Sequence, residues 1–279
     1  MLKRELELPL NAHIFLLGPR QTGKTTLVKQ RISEKQRKDY NLLLTQEFSK
    51  LVARPSVLRE EVLALGEKIT HVFLDEIQRV PDLLNEVQVL IDEGTAKWFI
   101  LSGSSARKLK RNQGNLLGGR AWLYTLYPLT ITEIGGESFK LGRALSFGTL
   151  PQVYTAEDDI ARENHLRAYV DLYLREEIEA EALSRNIGGF IRFLSVAAQS
   201  NGEIINFSNI SRDVGLSSVT VKEYFKILED TLLGSFLFPY HQSERKRHRL
   251  GAKFYFFDTG VLRAAQKRLS QPIESGTFE

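Results

Sequence analysis

The chain has no cysteine among its 279 residues and a single methionine. Disulfides and thiolate metal sites are therefore excluded, and the composition fits a reducing, cytoplasmic setting. No run of 18 apolar residues occurs, so no transmembrane helix is expected. The opening Met1-Leu2-Lys3-Arg4-Glu5 lacks the apolar stretch of a secretory signal. Internal repeats and low-complexity segments are also lacking. His13, His71, His165, His241 and His248 are scattered, with no metal-ligand spacing among them. Acidic and basic residues nearly balance, leaving a net charge of +4. That mild basicity is compatible with nucleic acid without requiring it. A hydrophobic content of 42% suffices for a sizeable core.

One segment carries clear chemistry. Gly18-Pro19-Arg20-Gln21-Thr22-Gly23-Lys24-Thr25 follows the pattern G-x-x-x-x-G-K-[ST]. It comes after the apolar run Ile14-Phe15-Leu16-Leu17 and leads into Thr26-Leu27-Val28-Lys29-Gln30, which can continue as a helix. Strand, loop and helix in that order form a phosphate cradle. The glycines let backbone N–H groups face the phosphates, and the helix N-terminus adds partial positive charge. Lys24 can reach the β- and γ-phosphates, and the Thr25 hydroxyl can ligate Mg²⁺. Residues 18–26, Thr26 included, are the expected nucleotide contacts, with Arg20 facing either nucleotide or solvent.

A second element agrees. His71-Val72-Phe73-Leu74-Asp75-Glu76 reads as an apolar strand ending in two acids. Asp75 at that end can enter a magnesium shell, and Glu76 can polarise an attacking water as general base. Ligands of open α/β sheets gather at these strand ends.

Further strands are expected at Tyr40–Leu44, Trp98–Ser102 and Ala121–Leu126. Residues 50–65 have a partly helical pattern broken by Pro55. A helix follows Pro81 and stops at Gly94. Alternating short strands and helices imply a parallel sheet with helices on both faces over residues 1–140. Residues 141–279 read as mostly helical. Tyr169, Leu172, Tyr173 and Leu174 belong to one helical segment, and Phe190, Phe193, Leu194 and Val196 to another. Phe207–Ser217 reads as helix, glycine turn and cap, and Ser217 caps a helix over Val219–Glu229. With strands at Leu232–Tyr240 and Phe254–Asp258, that is a winged-helix pattern.

These motifs combine with Ile100-Leu101-Ser102-Gly103-Ser104-Ser105, Leu117-Gly118-Gly119-Arg120, Tyr127-Pro128-Leu129, Thr220-Val221-Lys222-Glu223-Tyr224 and Tyr255-Phe256-Phe257-Asp258-Thr259-Gly260. Together they resemble the prokaryotic AAA-superfamily ATPases whose C-terminal half is called domain of unknown function 4143. The resemblance covers roughly residues 10 to 265. It implies an AAA-type P-loop fold followed by a helical and winged-helix domain. It also implies ATP and Mg²⁺ as ligands, with hydrolysis at the β–γ bond. Lys24 and Thr25 fall on the phosphate and metal positions, Asp75 on the metal-shell carboxylate and Glu76 on the water-activating one. Ser102 or Ser104 falls on the polar sensor of the γ-phosphate. Acids often found after the second strand are replaced here by Leu44-Thr45-Gln46-Glu47. Related sequences continue past the equivalent of Glu279 into a lobe resembling restriction-endonuclease folds, so the chain is expected to be incomplete relative to the family.

Arg120, after two glycines, is a candidate arginine finger for its own subunit or a neighbour's, with Arg107 as a rival. A finger supplied by a neighbour makes a homo-oligomer or a protein partner relevant. The helix-turn-helix could set Ser217–Tyr224 in a DNA major groove, and Arg245-Lys246-Arg247-His248-Arg249 could hold phosphates. Against that, Glu223, Glu229 and Asp230 offset Lys222 and Lys226 on the same helix. The leading expectation is an ATPase. A nucleotide-gated switch with slow turnover and a DNA-binding ATPase or regulator are the alternatives.

Overall fold

Three apolar strands, β1 (His13–Leu17), β3 (His71–Asp75) and β4 (Trp98–Gly103), are buried almost end to end in the computed structural model. Such continuous burial suits the centre of a parallel sheet covered on both faces. The five-stranded sheet runs β2 (Arg37–Asn41), β3, β4, β1, β5 (Ala121–Thr125), with every neighbouring pair parallel. β2 and β5 form its edges, and both alternate or expose residues. The structure describes residues 2–105, 117–174, 187–240 and 251–273. It divides into two compact units, Lys3–Tyr127 and Pro128–Glu279.

In the first unit, α1 (Lys24–Arg31) lays Leu27 and Val28 on a face formed by Ile14, Leu16, Phe73 and Ile100. The spacing expected for a helix pair broken by Pro55 appears as α2 (Thr45–Ala53) and α3 (Ser56–Leu63), with Pro55 at the α3 N-cap. α3 packs on α4 (Leu83–Asp92), burying Leu58, Val62, Leu83, Val87 and Leu90. Each such leucine or valine contributes about 1.5–3 kcal/mol by leaving water.

β2 departs from expectation. It starts at Arg37 and stops at Asn41 instead of spanning Tyr40–Leu44. The Asn41 side chain accepts the Leu43 N–H at 3.0 Å, and its carbonyl accepts the Leu44 N–H at 3.0 Å. That side-chain turn ends the strand. Leu43 and Leu44 lie exposed in it, so their apolar character misleads. At the other end, buried Arg37 earns its place by donating to the Ile32 carbonyl and the Asp39 carboxylate.

The compact units meet between Tyr127 and Pro128, a few residues before the sequence-based boundary near residue 140. The second unit opens on a capping box. Thr130 Oγ1 accepts the Glu133 N–H at 3.1 Å, and the Glu133 carboxylate accepts the Thr130 N–H at 3.0 Å. Helix α5 (Ile131–Ile134) follows, then α6 (Leu141–Phe147), α7 (Pro151–Tyr154) and α8 (Asp159–Ala168), which runs into a π-helical turn at Tyr169–Leu174. α9 is Ile187–Gln199 and α10 is Phe207–Val214. A left-handed Gly215 ends α10, and Ser217 caps α11 (Ser218–Asp230) by accepting the Thr220 N–H at 3.0 Å. The sequence pattern for helix, turn and cap is therefore realised. β6 (Gly234–Leu237) and β7 (Lys253–Phe256) form an antiparallel pair. α12 (Thr259–Ala265) closes the unit.

Phenylalanines knit α9, α11 and the β6–β7 pair into one core. Phe193 meets Phe225 edge to face at 4.9 Å, Phe225 meets Phe254 at 4.9 Å, and Phe254 meets Phe236 at 5.0 Å. The Phe-Phe-Asp-Thr-Gly stretch serves this core. Asp258 is buried and caps α12 by accepting the Val261 N–H at 3.0 Å. It also accepts the Thr149 N–H at 2.8 Å, tying the 148–150 turn to that helix. Burial pushes the Asp258 carboxyl up from its ordinary value, and backbone N–H donors at Thr149, Val261, Gly260 and Leu150 pull it the other way. Asp258→Ala removes a cap and leaves buried N–H groups unmet. A loss of about 3 kcal/mol is expected in chemical denaturation.

In the first unit, His71 lies at the start of β3 with Nε2 against the Leu10 carbonyl at 2.9 Å and Nδ1 against Thr70 Oγ1 at 2.8 Å. A neutral ring fits both contacts, donating from Nε2 and accepting at Nδ1. Burial lowers its pKa from 6.5; the Leu10 carbonyl opposes this and the Arg37 charge adds to it. His13 is lowered by burial as well. A lowered histidine favours the fold above its unfolded pKa and costs stability as pH falls through 6.5. Both tryptophans, Trp98 and Trp122, lie in this unit. Tryptophan emission should therefore report a falling unfolding midpoint between about pH 7 and pH 5, with a shallower fall in His71→Gln.

Candidate nucleotide site

The loop between β1 and α1 is shaped by two backbone requirements. Gly23 sits at φ 91°, a left-handed conformation that strains other residues. Gly18 passes under β5 so closely that a Cβ there would lie 2.3 Å from the Leu126 carbonyl oxygen. Inside the loop, Thr22 Oγ1 donates to the Pro19 carbonyl at 2.9 Å, and Gln21 is held at φ 64°. The Lys24 side chain curls back over the loop, its Nζ donating to the Gly18 and Pro19 carbonyls at 2.8 and 3.0 Å. Pro19 is buried, Arg20 is half-buried and Thr26 is exposed on the first turn of α1.

Sheet order explains the rest. β4 lies between β1 and β3, with Leu16 opposite Ser102 and Leu74 opposite Leu101. The loop, the acids after β3 and the serines ending β4 thus emerge side by side at the carboxyl edge. Asp75 is their hub. Its Oδ2 accepts the Thr25 hydroxyl at 2.8 Å, and its Oδ1 accepts the Ser102 hydroxyl. Glu76 follows in a left-handed conformation, φ 62° and ψ 46°, with its N–H 3.4 Å from Ser102 Oγ. A non-glycine residue there costs of order 1–3 kcal/mol and tends to mark functional sites. Ser104, almost wholly buried, accepts from the Gln78 amide at 3.0 Å.

A hydroxyl and a carboxylate 2.8 Å apart beside a phosphate loop form a hard oxygen donor set. Magnesium takes such sets, using one or two protein oxygens and completing its shell with phosphate and water. Among the described residues, no group of three or more His, Cys, Asp and Glu could by itself hold a metal.

The site therefore brings together Lys24, Thr25, Asp75, Glu76, Ser102 and Ser104, with the 18–23 loop beside them. Arg120 stands apart from this hydrogen-bonded group. Its guanidinium makes a two-pronged ion pair with Asp92, at 2.6 and 3.1 Å, at the end of α4. Asp92 faces the negative end of its own helix dipole, and Arg120 offsets that. Arg107 and the 245–249 basic run fall outside the described residues. Among the described residues, no helix is long and apolar enough to cross a membrane.

Two contributors escaped sequence reading. Gln78 had no motif to flag it. Arg4 lies upstream of every motif, yet it is buried and donates to the Thr22 carbonyl at 2.6 Å and the Tyr127 carbonyl at 2.6 Å. It pins the phosphate loop to the end of β5.

Comparison with known proteins finds a family match over each part of the chain. Residues 11–135 match the AAA domain family, and residues 138–272 match a domain of unknown function numbered 8612, where the sequence resemblance had pointed to 4143. Two uncharacterized mycobacterial proteins, Mb2031c of Mycobacterium bovis and Rv2008c of Mycobacterium tuberculosis, are each 26% identical over 250 residues, covering 89% of this chain and 55% of theirs. The chain thus spans about half the length of these curated relatives. Domain III of the replication initiation protein DnaA from Thermotoga maritima aligns at 15% identity and a TM-score of 0.33, covering 74% of this chain and 85% of that one. The sheet order, the loop and the AAA match together define an AAA-type P-loop α/β fold followed by a helical region.

Arg4→Ala should release the loop while leaving the motif intact. Nucleotide affinity measured by calorimetry is expected to fall roughly tenfold, the value of about one charged hydrogen bond. An affinity equal to the wild type would show that the loop holds its shape without this tether.

Proposed function

We propose that the protein binds ATP with magnesium and hydrolyses its β–γ bond. The observation that carries this reading is the Asp75 carboxylate, which joins the Thr25 hydroxyl of the phosphate loop to the Ser102 hydroxyl of β4, with Glu76 as the next residue. Backbone N–H groups of residues 18–24 would receive phosphate oxygens. Lys24 would exchange its loop carbonyls for β- and γ-phosphate oxygens. Thr25 and Asp75 would hold magnesium, which supplies charge neutralisation to the phosphates when bound. Glu76 would take the proton of the attacking water, and Ser102 or Ser104 would orient the terminal phosphate.

Arg120 fits a role in trans better than one in its own subunit. Its pair with Asp92 is substantially exposed. Exposed pairs contribute only about 0–1 kcal/mol, so a neighbouring subunit's nucleotide could draw Arg120 away at small cost. Turnover that rises with protein concentration would support this assembly-dependent site.

The helix-turn-helix at α10–α11 supports a second reading, in which hydrolysis serves DNA binding by a winged-helix domain. Its α11, capped by Ser217, begins with Ser218, Val219 and Thr220, and Val219 is well exposed. Turnover with and without duplex DNA separates the readings, with stimulation that weakens at high salt expected for the second. A slow nucleotide-gated switch would instead give single turnovers insensitive to DNA.

Glu76→Gln should lower kcat by about 10²–10⁴-fold while nucleotide affinity stays within a few-fold, measured by steady-state phosphate release and calorimetry. A wild-type protein without nucleotide affinity would overturn the ATPase reading.

A further inference from the structure

We propose that Gln78 is a positioning residue that sets the Glu76 carboxylate and couples it to Ser104. The inference deepens the hydrolytic reading above and rests on it for its functional meaning. Gln78 is buried, 5% exposed, in the short turn after β3. Its amide nitrogen has two N–H bonds to give. One goes to Glu76 Oε2 and the other to Ser104 Oγ, at 3.0 Å. One amide group therefore bridges the acid after β3 and the serine after β4.

The orientation of this bridge is enforced. The Gln78 oxygen, Oε1, is buried and has no hydrogen-bond partner among the described residues. Turning the amide over would aim that oxygen at the Glu76 carboxylate, setting two acceptors against each other. The unmet oxygen is the lesser penalty. Room for it comes from Gly103, where a Cβ would lie 2.7 Å from Gln78 Oε1. The glycine between the two serines of β4 is thus part of the same arrangement.

A hydrogen bond donated to one oxygen of Glu76 fixes the carboxylate plane, which a general base needs for its water to be in reach. Because Ser104 is held by the same nitrogen, a movement of that hydroxyl toward a terminal phosphate is felt at Glu76.

The test uses Gln78→Met, which keeps the length and apolar bulk of the side chain and removes the donor. Crystal structures of the wild type and Gln78→Met are compared at the Glu76 carboxylate and the Ser104 hydroxyl. In Gln78→Met, the Glu76 carboxylate is expected to turn out of its wild-type plane and Ser104 Oγ to change its partner. The kcat is expected to fall about 10–100-fold with KM within about threefold. In the Glu76→Gln background, adding Gln78→Met should change nothing further. A Glu76 carboxylate that keeps its place in a folded Gln78→Met protein overturns the proposal. So do additive losses in the double variant. Gln78→Asn, which keeps the amide on a shorter arm, replaces Gln78→Met if the latter does not fold, with the same structural comparison deciding. That comparison needs no turnover. A wild type that hydrolyses nothing would therefore sink the ATPase reading, while the comparison still decides whether Gln78 sets Glu76.

Discussion

The Asp75 carboxylate holds the candidate site together. Its two oxygens are engaged from opposite sides, by the hydroxyl that opens α1 and the hydroxyl near the end of β4. Those partners lie far apart in sequence, and only a strand order that interleaves β4 between β1 and β3 brings them within reach. The buried apolar strands supply the rigid frame, and the polar residues come after their last apolar positions. Asp75 is itself buried there. It would be an expensive isolated charge without the two hydroxyls that donate to it.

Much of this was legible beforehand, and for a definite reason. The phosphate loop and the acidic strand are read from contiguous residues, and their spacing is dictated by local backbone geometry. Capping signals were equally local. Ser217 and Gly215 did at the α10–α11 corner what their residue types allow, and Pro55 divided two helices. The error at β2 was also local in origin. A run of leucines looked like a strand, but Asn41 bent the chain with its own side chain before they could join the sheet.

The less legible features are those made by distant contacts. Gln78 is an ordinary polar residue in sequence, and its meaning comes from Glu76 on one side and Ser104, 26 residues onward, on the other. Asp258 stood in a recognisable stretch, yet its work is architectural, joining the start of α12 to a turn 109 residues earlier. Arg120 follows the glycines of a finger, and its exposed pair with Asp92 on α4 is what favours a role in trans over one in its own subunit. In each case the residue type set a range of possible roles, and tertiary neighbours selected among them.

The Arg4 contacts bear on how the first unit is to be delimited. The AAA family match begins at residue 11, after the arginine that clasps the carbonyls of Thr22 and Tyr127. A fragment trimmed to that boundary would keep every motif residue and lose the clasp. It would also lose Leu8, which lies in the same apolar cluster as Leu27 and Val28 of α1. The few residues preceding β1 thus act as a splint for the phosphate loop, and a boundary drawn by motif alone would discard it.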